Sequence, residues 1–251
     1  MLRCICSFFL FTSIAVTQTF HEHFPKTHTQ NPGLAAPLAG GPRGPSSTGE
    51  ARISIARLKV PQKVRRLYDK AVEAMLRHKT SQAKQKVEQA LRLYASFPEA
   101  LTLLGAMQLD ANQLLPAEGN LQASIRSDPE YPYAYVILAA LYNEQRRFDD
   151  AETMAEHAAS LDLRHWDVQY ELARALIGKK QYLRALSISE TALRKEHGSL
   201  LHLARAHALA GLAKYPQARS ELEDYLRFSP GSEGAQDARN LLEIINHGFG
   251  P

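Results

Sequence analysis

The amino-acid sequence indicates an all-α protein, a right-handed α-solenoid of about five helix pairs with a capping helix at its C-terminal end. Small residues recur every 33 or 34 positions through most of the chain. Apolar residues between them follow the period of amphipathic helices, and polar or helix-breaking residues divide the pattern at regular intervals. A signal-like stretch and a Pro/Gly/Ser-rich linker, expected to be disordered, precede these units.

Residues 1–20 have the layout of a signal peptide. Arg3 gives a positive start, and residues 4–16 form an apolar stretch without charge, followed by polar residues. Because roughly 20 apolar residues are needed to cross a bilayer, we expect cleavage near residues 13–15 or slightly later, with no stable membrane span afterwards. An uncleaved anchor and a misassigned start are the alternatives. The sequence thus predicts export to a periplasmic or extracellular location.

The cysteine content agrees with export. Cys4 and Cys6 are the only two cysteines, and both lie in the apolar stretch. No disulfide framework or cysteine metal site can be built from them. Cleavage would leave a chain without a free thiol, which suits an oxidising compartment.

Residues 21–60 read as a disordered linker. The segment is rich in proline, glycine, serine and threonine, and such a composition buries too little apolar surface to offset the entropy of ordering it. His21, His23 and His28 lie here, and we interpret them as solvated residues rather than metal ligands. Residues 53–60 alternate loosely between apolar and polar side chains, which leaves open a short strand or an extended segment laid on the first helix.

Three columns of small residues define the repeat. They are Ala83, Ala117, Ala151, Ala185 and Ala218; Ala71, Gly105, Ala139, Ala173 and Ala206; and Ala90, Ser124, Ala158 and Ala192, with Tyr225 in the fifth place. Where two helices cross within a unit, only a small side chain lets the backbones approach closely. We therefore predict that these side chains pack between helices, away from water.

Turn residues then divide the chain into units. Polar stretches such as residues 78–81 and 146–149 mark turns within units, and Pro98 and Pro129 mark turns between them. Eleven helices follow from these divisions. The predicted units are about 64–97, 98–131, 132–165, 166–198 and 199–232, with a capping helix over 233–247.

The columns resemble the tetratricopeptide repeat, whose pattern has small residues at its eighth, twentieth and twenty-seventh positions and often proline at its thirty-second. Pro129 and Pro230 occupy that last position. The other three units depart from it there, with Ala95, Leu163 and His197. The resemblance covers about 64–233, and the order of signal, linker and five repeats is similar to that of exported bacterial tetratricopeptide proteins.

The resemblance implies a concave groove lined by the first helix of each pair. The residues carried over to groove-facing positions are Arg65, Tyr68, Met75, Glu99, Thr102, Tyr133, Val136, Asn143, Asp167, Tyr170, Arg174, Leu203 and His207. The candidate partner-binding set is Tyr133, Val136, Asn143, Tyr170, Arg174 and His207. Tyrosine and arginine dominate many interfaces, although a tyrosine near a helix start can instead pack on the preceding unit. A carboxylate-clamp cochaperone is disfavoured, because Tyr68 and Val72 stand where that clamp has lysine and asparagine.

The sequence offers no enzymatic constellation. Phosphate-binding loops, nucleophile elbows and zinc-protease motifs do not occur in it, so we predict a non-enzymatic chain without cofactor, metal ion or small-molecule substrate. His202 and His207 are five apart on one predicted helix, about 140° around it, which makes them poor joint ligands. Asp167 and Glu171 are interpreted as a solvated face with ion pairs to Arg174.

Composition sets the limits of the functional hypothesis. The 251 residues have a net charge of +4, too small an excess for nucleic-acid binding unless it is gathered on one face, and no gathering is apparent. We predict a scaffold that binds a protein or peptide segment in the groove. The alternative is a structural assembly or tethering module of a cell-envelope complex that uses its convex face or ends. Solvent exposure of Leu241, Leu242, Ile244 and Ile245 on the last helix would favour this alternative.

Overall fold

A computed structural model describes residues 59–161, 166–194, 198–231 and 234–248. Within these ranges the chain forms α-helices joined by turns, with no β-strand. The predicted signal peptide and all but the last two residues of the predicted linker lie outside them. The helices are α1 (Gln62–Leu76), α2 (Thr80–Leu93), α3 (Pro98–Asp110), α4 (Leu114–Ser127), α5 (Pro132–Glu144), α6 (Phe148–Ser160), α7 (Trp166–Gly178), α8 (Tyr182–Leu193), α9 (Ser199–Gly211), α10 (Tyr215–Phe228) and α11 (Gly234–Gly248).

The helices stack as two layers. Each helix packs against the next one in the chain, and from α3 onward each odd-numbered helix also contacts the next odd-numbered one. We call the odd-numbered helices α1 to α9 the inner layer and the even-numbered helices the outer layer. Contacts limited to neighbouring helix pairs define a solenoid, so the predicted fold class is confirmed.

Inner and outer helices differ in how much of their surface they bury. In α5, every residue from Ala134 to Asn143 is buried, and α3 and α7 are similarly enclosed. In α4 of the outer layer, only Ala117, Leu121 and Ser124 are buried. An outer helix thus presents a single apolar stripe to the inner layer, whereas α3, α5 and α7 are covered on nearly all sides.

The small-residue columns lie where these layers meet. All five residues of the Ala83 column are fully buried, as are the alanines of the Ala71 column. A Cβ atom added to Gly105 would lie 2.8 Å from Leu121 Cγ, so that position accepts glycine alone without a shift. The prediction that the columns pack between helices is confirmed.

The turns within units share one backbone form. The second residue after each inner helix adopts a left-handed conformation, with φ between 55° and 60° at His78, Asn112, Arg146, Lys180 and Ala213. In the last turn, the Lys214 N–H donates to the Leu209 carbonyl at 2.9 Å and the Ala213 N–H to the Ala210 carbonyl at 3.0 Å. This is the Schellman arrangement, and it occurs here without glycine.

Glycines occur where aromatic rings pack closely against the backbone of the next unit. A Cβ atom at Gly178 would run into the ring of Phe148, and one at Gly211 would lie 2.5 Å from the ring of Tyr182. Phe148 and Tyr182 begin successive outer helices, and each packs on the end of the next unit's inner helix. Trp166 packs in the same manner against Gly198, which places it at a repeat junction.

Candidate functional site

The candidate partner-binding residues all lie on inner helices. Tyr133, Val136 and Asn143 are on α5, Tyr170 and Arg174 are on α7, and His207 is on α9. Because α5 and α7 contact each other, the first five residues share one region of the third and fourth units. His207 lies one unit further along the solenoid.

Asn143 and Arg174 belong to a buried polar network between α5 and α7. Arg174 Nη1 donates to the two carboxylate oxygens of Glu171 at 3.0 and 3.3 Å, and its Nη2 donates to Glu144 Oε1 at 2.7 Å. Asn143 Nδ2 donates to Glu171 Oε2 at 2.8 Å and to the Glu171 backbone carbonyl at 3.0 Å. Asn143, Glu171 and Arg174 are 5%, 4% and 6% exposed. The network therefore fixes these side chains against one another.

One guanidinium serves two carboxylates in this network. Burial alone would lower the pKa of Arg174, but Glu171, Tyr170 and Glu144 raise it above its usual range, so the side chain stays protonated. Burial raises the pKa of Glu171, and the opposing effects of Arg174 and Asn143 do not cancel this rise. The network thus holds one cationic side chain between two carboxyl groups. Asn143 Oδ1 completes the set as a buried acceptor without a hydrogen-bond partner among the described residues.

Tyr170 and Val136 are enclosed by the chain itself. Tyr170 is 2% exposed, and the Arg174 guanidinium carbon lies 5.6 Å from its ring centroid. Val136 is also 2% exposed and packs with Tyr135 and Val168. Both side chains hold α5 and its neighbours together, and their contact with a partner stays a prediction.

Tyr133 and His207 keep more of their surface in solvent. Tyr133 is half-buried at the start of α5, with its ring centroid 5.7 Å from that of Tyr131. Burial and the nearby Asp167 carboxylate raise the pKa of the Tyr133 hydroxyl. His207 Nε2 lies 2.8 Å from Asp237 Oδ2 on α11. These contacts hold Tyr133 beside Tyr131 and His207 against α11.

The acidic residues of α7 differ from expectation. Asp167 and Glu171 do not form a solvated face, and that interpretation is wrong, because they are 1% and 4% exposed. Helix α7 contacts α5, α6, α8 and α9, so almost no side of it meets water. The predicted ion pair from Glu171 to Arg174 is nevertheless present, with a closest distance of 3.0 Å.

Glu144 is a site residue that sequence reasoning missed. It is half-buried at the end of α5 and lies 30 residues before its partner Arg174. His207 and Asp237 are also 30 residues apart, and each of the two pairs joins successive odd-numbered helices. A search for opposite charges at this spacing would have found both pairs.

The two histidines of α9 have separate partners. His202 Nδ1 lies 2.9 Å from Glu221 Oε2 on α10, whereas His207 reaches α11. The prediction that they lie on different faces is confirmed. Within the part of the chain that the structure describes, no three His, Cys, Asp or Glu side chains are placed to hold a metal ion.

The stacked helix pairs match known structures over most of their length. A thermophilic tetratricopeptide-repeat protein of Thermus thermophilus is similar with a TM-score of 0.61 and 18% identity, covering 72% of this chain and 98% of that one. MamA from Desulfovibrio magneticus RS-1 is similar with a TM-score of 0.55 and 13% identity, covering 69% and 98%. The pilF protein of Pseudomonas aeruginosa has a TM-score of 0.56 and 16% identity, covering 70% and 81%.

The chain has the tetratricopeptide-repeat fold. No protein-family model matches the sequence, and no curated protein matches it either. The fold therefore rests on the structure and on the column pattern together, which agree over the same part of the chain.

The last helix closes this tetratricopeptide solenoid. Ile245 is 1% exposed, and Leu241 and Leu242 are half-buried against the apolar core of the last two units. Ile244 is 37% exposed at the edge of the helix. Most of the apolar face of α11 therefore packs against the chain's own core. This gives little support, at this end, to the alternative of an assembly module that works through its convex face or ends. No helix in the described ranges has the length and apolar character that a bilayer crossing requires.

Proposed function

We propose that this chain is a non-enzymatic scaffold that binds a peptide or protein segment along the inner surface of its third and fourth units. Stacked helix pairs build an extended concave surface, which is the usual binding surface of solenoid proteins. The likeness to tetratricopeptide structures supports the scaffold role. Export, as the N-terminal sequence predicts, is part of the same proposal.

One observation carries the location. Buried Arg174 holds Glu144 at 2.7 Å, so that a half-buried carboxylate is fixed on the inner surface of the α5–α7 region. Tyr133 lies on the same helix and is also half-buried. Side chains that are already ordered lose little conformational entropy when a partner binds. A tyrosine and an oriented carboxylate suit a partner with mixed apolar and polar contacts.

A pair of matched variants tests the location. We expect Tyr133→Ala with Glu144→Gln to reduce capture of partners from an envelope extract, because it removes the two accessible inner groups. Tyr94→Ala, at the residue directly after outer helix α2, with Glu156→Gln on outer helix α6 changes the same residue types and should leave capture unchanged. Quantitative mass spectrometry of captured proteins gives the readout, and circular dichroism checks folding.

Equal capture by wild type and both variants would remove the inner surface as the site. Loss of capture in the outer-layer variant alone would instead support the alternative function, an assembly module that works through its convex face. The buried residues Tyr170 and Arg174 are poor first targets, since their removal changes the fold as well as the surface.

A further inference from the structure

The charges of this chain are divided unevenly along the solenoid. Residues 59–97, which form the first unit and its lead-in, hold ten lysines and arginines against three acids, a net charge of +7. Residues 98–251 hold 15 against 21, a net charge of −6. The small total charge therefore hides a basic end, and the expectation that cations are not gathered is wrong.

Ion pairing sharpens this contrast. Among the described residues, only Arg77 of the ten cations in the first unit takes part in an ion pair, with Glu73 at 2.8 Å. Beyond the first unit, internal ion pairs engage Arg147, Arg174, Lys179, Arg184, Arg205 and Arg227. Many cations of the later units are thus paired with acidic side chains of the chain. In the first unit, nine of the ten cations form no ion pair with another described residue.

Three of these cations share one face of α1. Lys63, Arg66 and Lys70 are spaced at i, i+3 and i+7, which places them on the same side of the helix. All three are exposed, and the opposite side of α1 is buried through Val64, Ala71 and similar residues. We call Lys63, Arg66 and Lys70 the basic face. It carries no aromatic side chain on which a nucleic-acid base could stack.

We infer that the basic face docks the first unit on an anionic lipid surface. Lysine and arginine side chains near such a surface each add to binding through attraction to lipid phosphates. The uncleaved form of the chain, which the sequence leaves open, points to a membrane as the source of these phosphates, because its apolar stretch at residues 4–16 then precedes α1. One short apolar segment and one basic patch are the two signals that stable peripheral attachment needs.

The connection between the two signals supports this choice. Residues 17–58 separate the apolar stretch from the first described residue, Lys59. If they have the flexibility that their composition predicts, a segment of this length would span roughly 35 Å. If the apolar stretch is held in a membrane, the first unit stays within reach of the same surface, at a high effective concentration. This docking is independent of the groove and leaves the inner surface of the later units open to a partner.

A vesicle experiment with the full chain tests the inference. Flotation would be measured with vesicles of phosphatidylcholine alone and of phosphatidylcholine mixed with phosphatidylglycerol. Lys63→Gln, Arg66→Gln and Lys70→Gln together neutralise the basic face. A control variant with Arg126→Gln, Lys180→Gln and Lys214→Gln removes the same charge from exposed positions outside the first unit. Comparison of the two lipid mixtures separates the basic face from insertion of the apolar stretch, which both mixtures allow.

We expect the wild type to prefer the anionic vesicles and to lose the preference at high salt, which screens exposed charges. Since each basic residue near an anionic surface contributes about fivefold, neutralising three should lower partitioning about 100-fold. The control variant should retain the preference, and both variants should capture groove partners as the wild type does. If the wild type captures no groove partner but binds anionic vesicles as expected, the result would count against the proposed function alone.

Three outcomes would overturn the lipid assignment. The first is equal binding of wild type and the neutralised variant to anionic vesicles. The second is tighter binding to a DNA duplex than to vesicles at the same salt, lost in the neutralised variant, which would assign the face to nucleic acid. The third is salt-sensitive self-association without lipid, lost in the same variant, which would assign it to a second copy of this chain. Circular dichroism of each variant confirms that the units remain folded.

Discussion

Two ionic networks join the third unit to the fourth, one in each layer of the solenoid. In the inner layer, Arg174 pairs with Glu144 and Glu171, and the guanidinium side chain is only 5% exposed. In the outer layer, Glu152 on α6 pairs with Lys179 in the turn before α8 at 2.6 Å and with Arg184 on α8 at 2.9 Å. There, the cationic side chains are 25% and 53% exposed.

The ion-pair distances in the two networks are similar, but the exposure of the cations differs, and exposure determines how much each pair contributes to stability. Ions taken out of water lose hydration, and only their mutual contacts offset that loss, so removing one partner leaves a strongly unfavourable charge behind. Water and salt screen an exposed pair, which therefore contributes little to stability. We expect that breaking the inner network lowers the free energy of unfolding by more than breaking the outer one.

The largest expected effect comes from breaking the inner network. Arg174→Ala should lower the free energy of unfolding by about 3–5 kcal/mol, because Glu171 and Glu144 lose their shared cation. Urea unfolding followed by circular dichroism measures this change.

A charge-free version of the network separates electrostatics from packing. Arg174→Met with Glu144→Gln and Glu171→Gln leaves no ionisable group in the network, and it should recover most of the lost stability. If this triple variant is as unstable as Arg174→Ala, the loss comes from packing and the comparison between the layers fails.

A second inner carboxylate shows what happens without a cation. Asp110 occupies the position in α3 that Glu144 occupies in α5, and the residue 30 positions further on is Ala140 instead of an arginine. Its Oδ1 is buried without a hydrogen-bond partner among the described residues, and burial raises the pKa of Asp110 from 3.8 to about 7. The folded state therefore holds a proton that the unfolded chain releases.

This raised pKa predicts how stability depends on pH. Below pH 4 both states are protonated and Asp110 has no effect, whereas the folded state loses stability as the pH rises from about 4 to 7. Asp110→Asn should remove this loss and raise the free energy of unfolding by up to about 4 kcal/mol at pH 7. Unfolding curves of both proteins between pH 4 and 8 check the prediction. An advantage of the variant that is constant across this range would contradict it.

The turns that connect the two layers offer a smaller gain. Ala213 has a φ of 58°, a conformation that costs an ordinary residue about 1–2 kcal/mol. Because glycine has no Cβ atom but loses more entropy on folding, Ala213→Gly should raise the free energy of unfolding by about 1 kcal/mol. Asn112→Gly at the equivalent turn is the matched control, and it should gain less since asparagine tolerates this conformation. Equal gains at both positions would argue against backbone strain as the cause. Thermal unfolding resolves these differences.

The small-residue columns and the turns differ in how well the sequence predicts them. Ala83 and Ala71 recur with their columns because two backbones meet at those points in every unit, so a periodic cause leaves a periodic pattern. The αL turns recur at the same spacing but have no shared residue type, since His78, Lys180 and Ala213 all occupy them. Periodicity therefore revealed the fold and the positions of the turns, while the backbone form of the turns appeared only in the structure.

The candidate site was harder to predict, for a physical reason. Its positions on α5 and α7 follow from the repeat, but the exposure of each side chain depends on how closely the inner helices approach one another. That approach buries Tyr170, Asn143 and Arg174, whereas Tyr133 keeps part of its surface. Nothing local to a single unit encodes the approach, because it is set by contacts between units.

The smallest expected effect tests the outer network. Burial would raise the pKa of Glu152, but hydrogen bonds from Lys179 and Arg184 hold it below its ordinary value of 4.5. The pairs therefore add stability above this pH and lose it as the pH falls further. Because the Arg184 side chain is 53% exposed and Lys179 stays in place, Arg184→Ala should lower the free energy of unfolding by less than about 1 kcal/mol at neutral pH. A double-mutant cycle with Glu152→Ala, measured at low and high salt, gives the coupling. Coupling as large as that of Arg174 with Glu171, or coupling that salt leaves unchanged, would mean that exposure does not separate the two layers.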